Sequence, residues 1–488
     1  MRILLLAALA ACTPRPAETP PGAEPEAPAF PRIASYRIET SLDADAKQML
    51  AKVPLAIVDA EVGALDPDAL RAVRAANAQL VLLAYLTSEE IAREPDADER
   101  PLADVRFMRI PASAWLLEPG SLTTAETSPT ATRIRVADPD RFEVARPDSQ
   151  FYGPDEPTYL LIGDEHVKLV GRQGDELIVE RGFRSTPTAH PAGTPIAGHV
   201  VFFAGTWMLD ITGAWREQLA DEAAALVDDG PWTGVFLDVC FEDIGFLNGG
   251  KLDLDRDRIP DDVRVASQRW KAGFGELVAT LRGRLGPEVP IVANPGAQDC
   301  PHDGLDGILL EGWPIGLPED FLEFQTGLDR YLRWTRRPGR LPLSVANAYS
   351  PKIGFGTIEQ GQDEVARTDY AAMRFGLAMA LMGDGYYAFD NGVFGHYVAW
   401  WYDEYDGGGR GVGWLGYPEG TATRAGAGWL RTFTHGMAIA NPTDAPITVP
   451  VPAGYRKLAG AQDPAHNDGA VVRGSLVVAG HDGYLLAR

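Results

Sequence analysis

The sequence predicts an α/β protein: a barrel of eight parallel strands, with a small inserted β-domain and an antiparallel β-domain at the carboxyl end. From residue 53 onward, eight short apolar runs alternate with helical stretches. Continuous apolar runs are typical of strands buried on both faces of a parallel sheet. Two further regions show apolar runs separated by Gly, Pro, Asn and Asp at hairpin spacing, which is typical of antiparallel sheets. The predicted fold class is therefore a (β/α)8, or TIM, barrel with two β-domains.

The barrel strands can be placed in order along the chain. The eight predicted strands are residues 53–59, 80–85, 207–210, 234–238, 290–294, 307–311, 343–347 and 386–390. The predicted helices between them cover residues 66–78, 213–228, 262–285 and 363–382. In the first helix, Asp66 is expected at the N-cap and Pro67 at the first helical position. A doubly wound open sheet is the alternative, but no G-x-G-x-x-G follows the first strand.

The amino-terminal residues predict a lipoprotein leader. Residues 3–11 form an apolar run that is too short to span a bilayer as a helix. The run ends in Leu-Ala-Ala-Cys, which resembles the bacterial lipobox, so residues 1–12 are predicted to be a lipoprotein signal peptide with Cys12 as the lipidated residue. A plain secretory signal with a chance cysteine is the alternative. Residues 13–30 are rich in Pro, Ala and Glu and predict a disordered tether. The expected location is the bacterial cell envelope, on the outer membrane or cell surface, with the protein facing the periplasm or the exterior.

A gap in the strand spacing marks the inserted domain. About 120 residues separate the second predicted strand from the third, far more than a βα unit needs. The barrel is therefore assigned to residues 31–118 and 205–430, the inserted β-domain to 119–204, and a C-terminal β-sandwich-like domain to 431–488. The phrases GDE, VERG and AHPAGT in the insert resemble a short module of phage and surface proteins, which implies a spacer or binding role.

Charge and cysteine content limit the partners. Asp and Glu outnumber Lys and Arg by 68 to 44, so the formal net charge is -24. This charge repels nucleic acid and anionic membrane surfaces, and it favours a neutral or cationic substrate. Two cysteines, Cys240 and Cys300, remain beyond the leader. An oxidising compartment would allow them to pair, and two buried thiols are the alternative.

Reactive groups of a barrel enzyme lie at the carboxyl ends of the strands, where the βα loops open. The polar residues that end the eight predicted strands are Asp59, Tyr85, Asp210, Asp238, Asn294, Glu311, Asn347 and Asp390.

Asp238 and Glu311 are the predicted catalytic pair. Cleavage of a glycosidic bond needs one carboxylic acid to protonate the leaving oxygen and one carboxylate to attack or to activate water. Asp238 is expected to be the nucleophile or base, and Glu311 the general acid with a pKa raised by Trp313 and its apolar neighbours. The alternative is that either acid binds substrate hydroxyls or caps a helix. A separation of about 5–5.5 Å would indicate retention, and about 6.5–9.5 Å inversion.

Further residues are expected to bind the substrate. Sugar rings stack on aromatic faces, and sugar hydroxyls bind amides and carboxylates. The predicted substrate-binding residues are Asp59, Tyr85, Trp207, Asp210, Asn294, Trp313, Asn347 and Asp390. Tyr349 and Trp401 are additional stacking candidates, although each aromatic residue could equally belong to the barrel packing.

Three phrases in the chain resemble a known family. GVFLDVCFEDIGF at the fourth strand, GILLEGW at the sixth and the lead-in WMLDIT are similar to hypothetical glycosyl hydrolase family 15. More distantly they resemble the polygalactosaminidase-like barrels and the α-galactosidase clan. The similarity covers residues 31–488 apart from the insert. In that clan the nucleophile lies on strand 4 and the acid/base on strand 6, so the resemblance implies these roles for Asp238 and Glu311.

One acidic loop predicts a metal site. Asp253, Asp255, Asp257 and Asp261 alternate with other residues after the fourth strand, as in loops that wrap Ca2+ with oxygen ligands. The loop departs from the EF-hand pattern, because Arg258 stands where Gly is needed and the twelfth position is not Glu. A solvated acidic loop with Arg256 and Arg258 as counter-charges is the alternative. No cofactor is expected to be required, and no Ser-His-Asp or zinc pattern is apparent.

Two functions follow from these observations. The first is a glycoside hydrolase that acts on an extracellular or envelope polysaccharide or oligosaccharide, held to the membrane by a lipid anchor and without a nucleic acid partner. The second is a non-catalytic surface lipoprotein that binds glycan.

Overall fold

The structure is a computed structural model. It describes residues 28–144, 146, 153, 155–300, 302–317, 322–337, 342–353, 362–392 and 395–488. The predicted signal peptide, Cys12 and residues 13–27 of the predicted tether lie outside the described residues. At the end of that tether, Phe30 is buried and its amide donates to the Gly416 carbonyl at 2.8 Å, so the chain is part of the fold by residue 30. Among the described residues, no helix is both long and apolar enough to cross a membrane.

Eight parallel strands form the barrel, and their ring order is their chain order. In that order they are Ala34–Arg37, Leu55–Asp59, Val81–Thr87, Gly234–Asp238, Ile291–Ala293, Gly307–Glu311, Val345–Tyr349 and Tyr386–Asp390. The ring closes between the last and first strands, because Ile33 bridges Tyr387 in parallel and the Tyr387 amide donates to the Arg32 carbonyl at 2.9 Å. The predicted fold class is confirmed.

One predicted barrel strand is wrong. Residues 207–210 do not join the barrel: Thr206–Met208 pairs antiparallel with Glu90–Ala92 in a separate two-stranded sheet. The missing barrel strand is Ala34–Arg37, whose four residues, A-S-Y-R, carry no apolar run for the pattern to detect. The ring positions of the later strands are unaffected, so Gly234–Asp238 is the fourth strand and Gly307–Glu311 the sixth.

Helices surround the barrel. The α-helices are Ala44–Leu50, Glu61–Leu65, Pro67–Ala76, Pro101–Arg109, Trp215–Asp229, Val263–Leu285, Phe324–Thr335, Gln362–Arg367, Tyr370–Ala380 and Asp403–Asp406. Single 3₁₀ turns occur at Ala112–Ala114, Pro139–Arg141 and Leu247–Gly250. Asp66 caps its helix as predicted, since its carboxylate accepts from the Ala69 amide at 3.0 Å and Pro67 is the first helical residue. The helix predicted over 363–382 is two helices, separated at Thr368 and Asp369.

Packed side chains fill the inside of the barrel, as in other barrels of this size. Members of this interior cluster include Tyr36, Leu55, Phe236, Val292 and Tyr386. Because the interior is closed by these side chains, a substrate can reach reactive groups only at a rim. The strand carboxyl ends therefore define where a site can form.

The inserted domain is a six-stranded antiparallel sheet. In sheet order its strands are Ser121–Leu122, Pro195–Gly198, Tyr159–Ile162, Glu165–Gln173, Glu176–Glu180 and Arg133–Arg135. It has a hydrophobic core of its own that includes Ile134 and Leu160. A second buried group, in which the rings of Trp115, His199 and Trp207 are in contact, joins it to the barrel.

The C-terminal domain is also antiparallel. A five-stranded sheet contains, in order, Thr423–Ala425, Gly428–Phe433, Gly436–Asn441, Asp482–Ala487 and Arg456–Lys457, and a two-stranded sheet contains Ile447–Pro450 and Ser475–Val478. The barrel helix Tyr370–Ala380 packs against this domain, and its Arg374 forms a two-pronged ion pair with Asp482.

Candidate active site

Asp238 and Glu311 face each other across one amide. Asn294, which directly follows the fifth barrel strand, donates from Nδ2 to Asp238 Oδ1 at 2.9 Å and to Glu311 Oε2 at 2.9 Å. The orientation of this amide is fixed, because Asn294 Oδ1 accepts from the Gly296 amide at 3.0 Å. The two carboxylate oxygens therefore lie no farther apart than twice 2.9 Å. An approach of this kind between one oxygen of each carboxylate is compatible with the about 5–5.5 Å that separates the carboxyl groups of retaining enzymes.

The third strand and the residue that follows it hold Asp238 in place through its side chain and its backbone. The Tyr85 hydroxyl donates to Asp238 Oδ2 at 2.6 Å. The Asp238 carbonyl accepts from the Ser88 amide at 2.8 Å and from the Ser88 hydroxyl at 3.0 Å. Val239, the next residue, has a φ of 53°, a left-handed conformation that is costly for a β-branched residue. Burial and the neighbouring Glu311 charge raise the pKa of Asp238, against the lowering effect of the hydrogen bond from Tyr85.

A histidine links Glu311 to a second carboxylate. His396 approaches Glu311 Oε1 with Nε2 at 3.3 Å and Asp390 Oδ2 with Nδ1 at 2.8 Å. Burial lowers the pKa of His396, but the charges of Asp390 and Glu311 and its hydrogen bonds to them outweigh burial and raise this pKa to about 10. His396 is therefore an imidazolium at neutral pH and donates from both nitrogens. Asp390 also accepts from Asn347 Nδ2 at 2.9 Å and from the Gly392 amide at 2.9 Å.

Aromatic rings form the base of this site. The Tyr36 ring lies 4.2 Å from the His396 ring and also contacts Phe236, and Tyr85 stacks on Phe236. Tyr349 is buried, and the charges of Glu311 and Asp390 act on its hydroxyl, which has no hydrogen-bond partner among the described residues. Asp238 and Glu311 keep partial solvent exposure above this apolar base, so a substrate can reach both carboxylates.

Six of the eight strand-end residues meet in this site: Tyr85, Asp238, Asn294, Glu311, Asn347 and Asp390. Asp59 lies beside Tyr85 in the strand register, but it is buried and its carboxylate binds Arg100 at 2.9 Å. Asp59 is therefore paired with Arg100 in this arrangement, and its contact with sugar hydroxyls stays a prediction.

Trp207 and Asp210 lie elsewhere. Trp207 is 0% exposed, and its ring stacks on His199 at 3.9 Å in the junction with the inserted domain. Asp210 is buried beyond the two-stranded sheet and accepts from the Thr212 amide at 2.8 Å and the Thr212 hydroxyl at 2.6 Å. The structure does not bring these two residues to the strand-end group, because the third strand was misassigned, and their substrate contacts stay predictions.

The two other tryptophan candidates do not offer a stacking surface in the site. Trp313 is 2% exposed, packs on Tyr331 with ring centroids 5.2 Å apart, and donates from its indole to the Phe324 carbonyl at 3.2 Å. It is part of the barrel packing, and its substrate contact stays a prediction. Trp401 lies under the Lys52 ammonium at 4.7 Å, beside the loop that enters the second barrel strand.

Three functional candidates escaped the sequence analysis: His396, Tyr36 and Ser88. Tyr36 belongs to the strand that was missed. Ser88 and His396 lie outside regular strands, so no strand-end pattern includes them. The signal available for His396 was its position six residues after Asp390 in a Gly-containing loop, a distance at which a side chain can turn back to the strand end.

The two cysteines are free thiols and buried. The Cys300 thiol donates to the Cys240 carbonyl at 3.3 Å. Of the two alternatives, a disulfide or two buried thiols, the structure has the buried thiols. Their hydrogen bond connects the loop after the fourth strand to the loop after the fifth.

A closed eight-stranded parallel barrel with two acidic side chains converging at its strand ends is compatible with a glycoside hydrolase. The sequence places the chain within that class. A sequence profile described as hypothetical glycosyl hydrolase family 15 matches residues 189–437, just over half of the 488 residues. The chain belongs to this family, and it is a glycoside hydrolase.

The chain is also similar to solved structures of glycoside hydrolases. The glycoside hydrolase domain of PelA from Pseudomonas aeruginosa is 14% identical, with a TM-score of 0.35 and alignment over 74% of this chain and 94% of that domain. Ega3 from Aspergillus fumigatus, in complex with galactosamine, is 11% identical, with a TM-score of 0.35 over 76% of this chain and 95% of that protein. No curated protein matches the sequence.

Proposed function

We propose that this protein hydrolyses a glycosidic bond in an extracellular or envelope polysaccharide, with retention of configuration, and that Asp238 and Glu311 are its catalytic residues. The single observation that supports the pair is the Asn294 amide, which donates to both carboxylates at 2.9 Å. Two carboxylates that share one amide favour the shorter separation of retaining enzymes over the longer one with which an inverting enzyme accommodates a water molecule.

The reaction has two steps in this proposal. In the first, an Asp238 oxygen attacks the anomeric carbon, and Glu311 donates its proton to the departing glycosidic oxygen, so that a glycosyl ester forms as the leaving sugar is released. In the second, Glu311 removes a proton from water, the water oxygen attacks the anomeric carbon, and the Asp238 carboxylate leaves. Glu311 regains its proton in that step and the cycle closes.

The surrounding charges support this division of roles. Two carboxyl groups in contact with one amide repel each other when both are ionised, so the pair retains one proton more readily than isolated acids do. The raised pKa of Asp238, caused by burial and by Glu311, expresses this repulsion. The donors on Asp238, Tyr85 and Asn294, favour its ionised form, as a nucleophile requires.

Net charge narrows the substrate class. A chain with a formal charge of -24 attracts cationic glycans, does not oppose the approach of neutral ones and repels polyanionic ones. The site adds a further carboxylate, Asp390, although His396 neutralises it. Polymers that contain free hexosamine, galactosamine among them, are therefore the first substrates to test.

The predicted lipid anchor fits an envelope substrate. Attachment through Cys12 would hold the barrel on the membrane surface, next to cell-surface or secreted glycans. Substitution Cys12→Ser is expected to move the protein from the membrane fraction to the soluble fraction and to abolish incorporation of labelled palmitate. Continued recovery of the Cys12→Ser variant in the membrane fraction would contradict the anchor.

The function is tested by release of reducing ends from a panel of neutral, acidic and hexosamine-containing polysaccharides. Wild-type protein is compared with Asp238→Asn and Glu311→Gln, which keep side-chain shape and remove the acid. The matched controls are Asp444→Asn and Glu288→Gln, both at exposed positions, in the C-terminal domain and before the amino end of the fifth barrel strand, which is the end opposite Asn294. Each site variant is expected to lose at least about 10³-fold in rate, while the controls keep the wild-type rate.

The same experiment decides the rival function. A non-catalytic glycan-binding protein would bind one of the polymers, release no reducing ends from any of them, and bind equally well after Asp238→Asn. That outcome would contradict the hydrolase proposal. Activity that survives in both site variants would instead contradict the choice of residues.

A further inference from the structure

Three carboxylates converge in the loop between the fourth barrel strand and the helix Val263–Leu285. Asp253, Asp255 and Asp257 each place one carboxylate oxygen within 4.8 Å of those of the other two. Exposed acidic groups often cluster without a ligand, and Asp255 and Asp257 are exposed, so the cluster alone does not define a site.

Asp253 provides the independent observation. It is 3% exposed, and its Oδ2 accepts from the Arg258 amide at 3.0 Å. Its Oδ1 is buried and has no hydrogen-bond partner within the described part of the chain. A buried carboxylate oxygen without a donor is expensive, because folding removes its water and supplies nothing in return. A cation at this oxygen would remove that cost.

Negative charge is concentrated around Asp253. Asp255 and Asp257 each place a carboxylate oxygen within 4.8 Å of one from Asp253. Arg256, a cation of the same loop, donates from Nη2 to the Ala112 carbonyl at 3.0 Å and the Trp115 carbonyl at 2.7 Å.

We propose that this loop binds one calcium ion through Asp253 Oδ1 and the carboxylates of Asp255 and Asp257. Hard carboxylate oxygens are the ligands that Ca2+ prefers, and its flexible coordination suits a loop. Asp261 braces the loop by accepting from the Leu254 amide at 2.6 Å. The departure from the EF-hand at Arg258 is accommodated by the backbone, because Arg258 takes a φ of 70°, the left-handed conformation for which Gly is normally required.

The bound ion would stabilise the connection between the barrel and its inserted domain. The Asp253 amide donates to the Leu117 carbonyl at 3.0 Å, on the segment that leads into the insert, and the Arg141 guanidinium of the insert donates to the Arg258 carbonyl. Calcium in this loop would therefore fix the base of the inserted domain against the chain that follows Asp238. This role is independent of the proposed catalytic residues.

The test uses the full chain, stripped with a chelator and titrated with calcium chloride by isothermal calorimetry, with melting followed in parallel. One calcium ion per chain and a rise of several degrees in the melting temperature are expected. Asp255→Asn alters only an exposed ligand, so it should fold and bind at least tenfold more weakly, and Asp253→Asn should abolish binding. Asp444→Asn is the control and should bind as wild type does.

Three results would overturn the inference: no heat and no change in melting temperature at millimolar calcium, unchanged affinity in Asp255→Asn, or equal affinity for Mg2+. The last would mean that the acidic loop attracts divalent cations without a shaped site. Because binding and melting are measured without any substrate, failure here leaves the hydrolase proposal untouched, and failure of the hydrolase proposal leaves the calcium site untouched.

Discussion

Replacing His396 with glutamine should destabilise the protein through the carboxylate that the imidazolium leaves behind. Asp390 is 3% exposed, and His396 Nδ1 at 2.8 Å is the only cation that the structure pairs with it among the described residues. Breaking one partner of a buried ion pair costs about 3–5 kcal/mol, because the remaining charge is buried without compensation. The His396→Gln variant should lose stability of this size near neutral pH.

The loss should depend on pH in a defined direction. The pKa of His396 is raised from the usual value of about 6.5 to about 10 in the fold. Its ionic contribution is therefore fully present below about pH 6.5 and disappears as pH rises through about 10. The difference in melting temperature between wild type and His396→Gln should be largest at pH 6 and should shrink toward pH 10.

A double variant separates charge from packing. In His396→Gln/Asp390→Asn the orphaned charge is gone, so the double variant should melt at a higher temperature than His396→Gln alone. Scanning calorimetry of the two single variants and the double variant at pH 6 and 10 gives the coupling energy directly. Additive single and double effects, or a melting difference that does not change between pH 6 and 10, would refute the ion-pair account.

Three further perturbations address the site and its support. Tyr85→Phe removes a hydrogen bond to a carboxylate, worth about 1.5–3 kcal/mol, so kcat/KM should fall roughly 10–100-fold. Since that bond lowers the pKa of Asp238, the acid limb of the pH–rate profile should also move to higher pH. An acid limb that does not move would count against the contact. Asn294→Ala removes the donor shared by both carboxylates and should reduce kcat by at least as much, with substrate affinity nearly unchanged; a change in KM alone would indicate a role limited to binding. Arg374→Met leaves the buried Asp482 carboxylate without its two-pronged partner and should lower the free energy of unfolding by about 3–5 kcal/mol. The molecules that remain folded should keep nearly the wild-type activity. An unchanged melting curve would show that this ion pair contributes nothing to stability.

The fold class could be predicted from the sequence because seven of the eight barrel strands are continuous apolar runs. Such runs arise where a parallel sheet is covered on both faces. Ala34–Arg37 escaped because it is short and polar, with Arg37 donating to loop carbonyls rather than packing against a helix. Thr206–Met208 resembled a barrel strand because Trp207 and Met208 are fully buried, yet they are buried against the insert and not in the barrel.

The carboxylate pair could be anticipated for a related reason. Parallel strands in a barrel are in register, so residues that end them reach the same rim, and Glu311 stands directly beside Asn347 in the observed register. The strand-end pattern could not show which of these polar residues are already paired with other side chains. Asp59 was taken up by Arg100, a residue from a different loop, and loop partners of that kind leave no periodic trace in the sequence.

His396 shows a second limit of what the sequence can predict about the site. Its function in the site depends on the path of the loop after the eighth strand, which turns its ring back beneath Glu311 and Asp390. Loop paths are set by tertiary contacts, here with Tyr36, and not by local preference. The aromatic residues show a different limit. In the sequence, Trp207 and Trp313 cannot be distinguished from residues that stack on a substrate, whereas in the structure both are packed against other side chains.

The stereochemistry of the product tests the central claim most directly. Proton NMR of a reaction followed within the first minutes identifies the anomer released before mutarotation. The shared Asn294 amide and the resulting limit on the distance between the two carboxylates predict that the new reducing end keeps the configuration of the cleaved bond. Release of the opposite anomer would contradict the account, because inversion requires direct attack by a water molecule and forms no ester with Asp238.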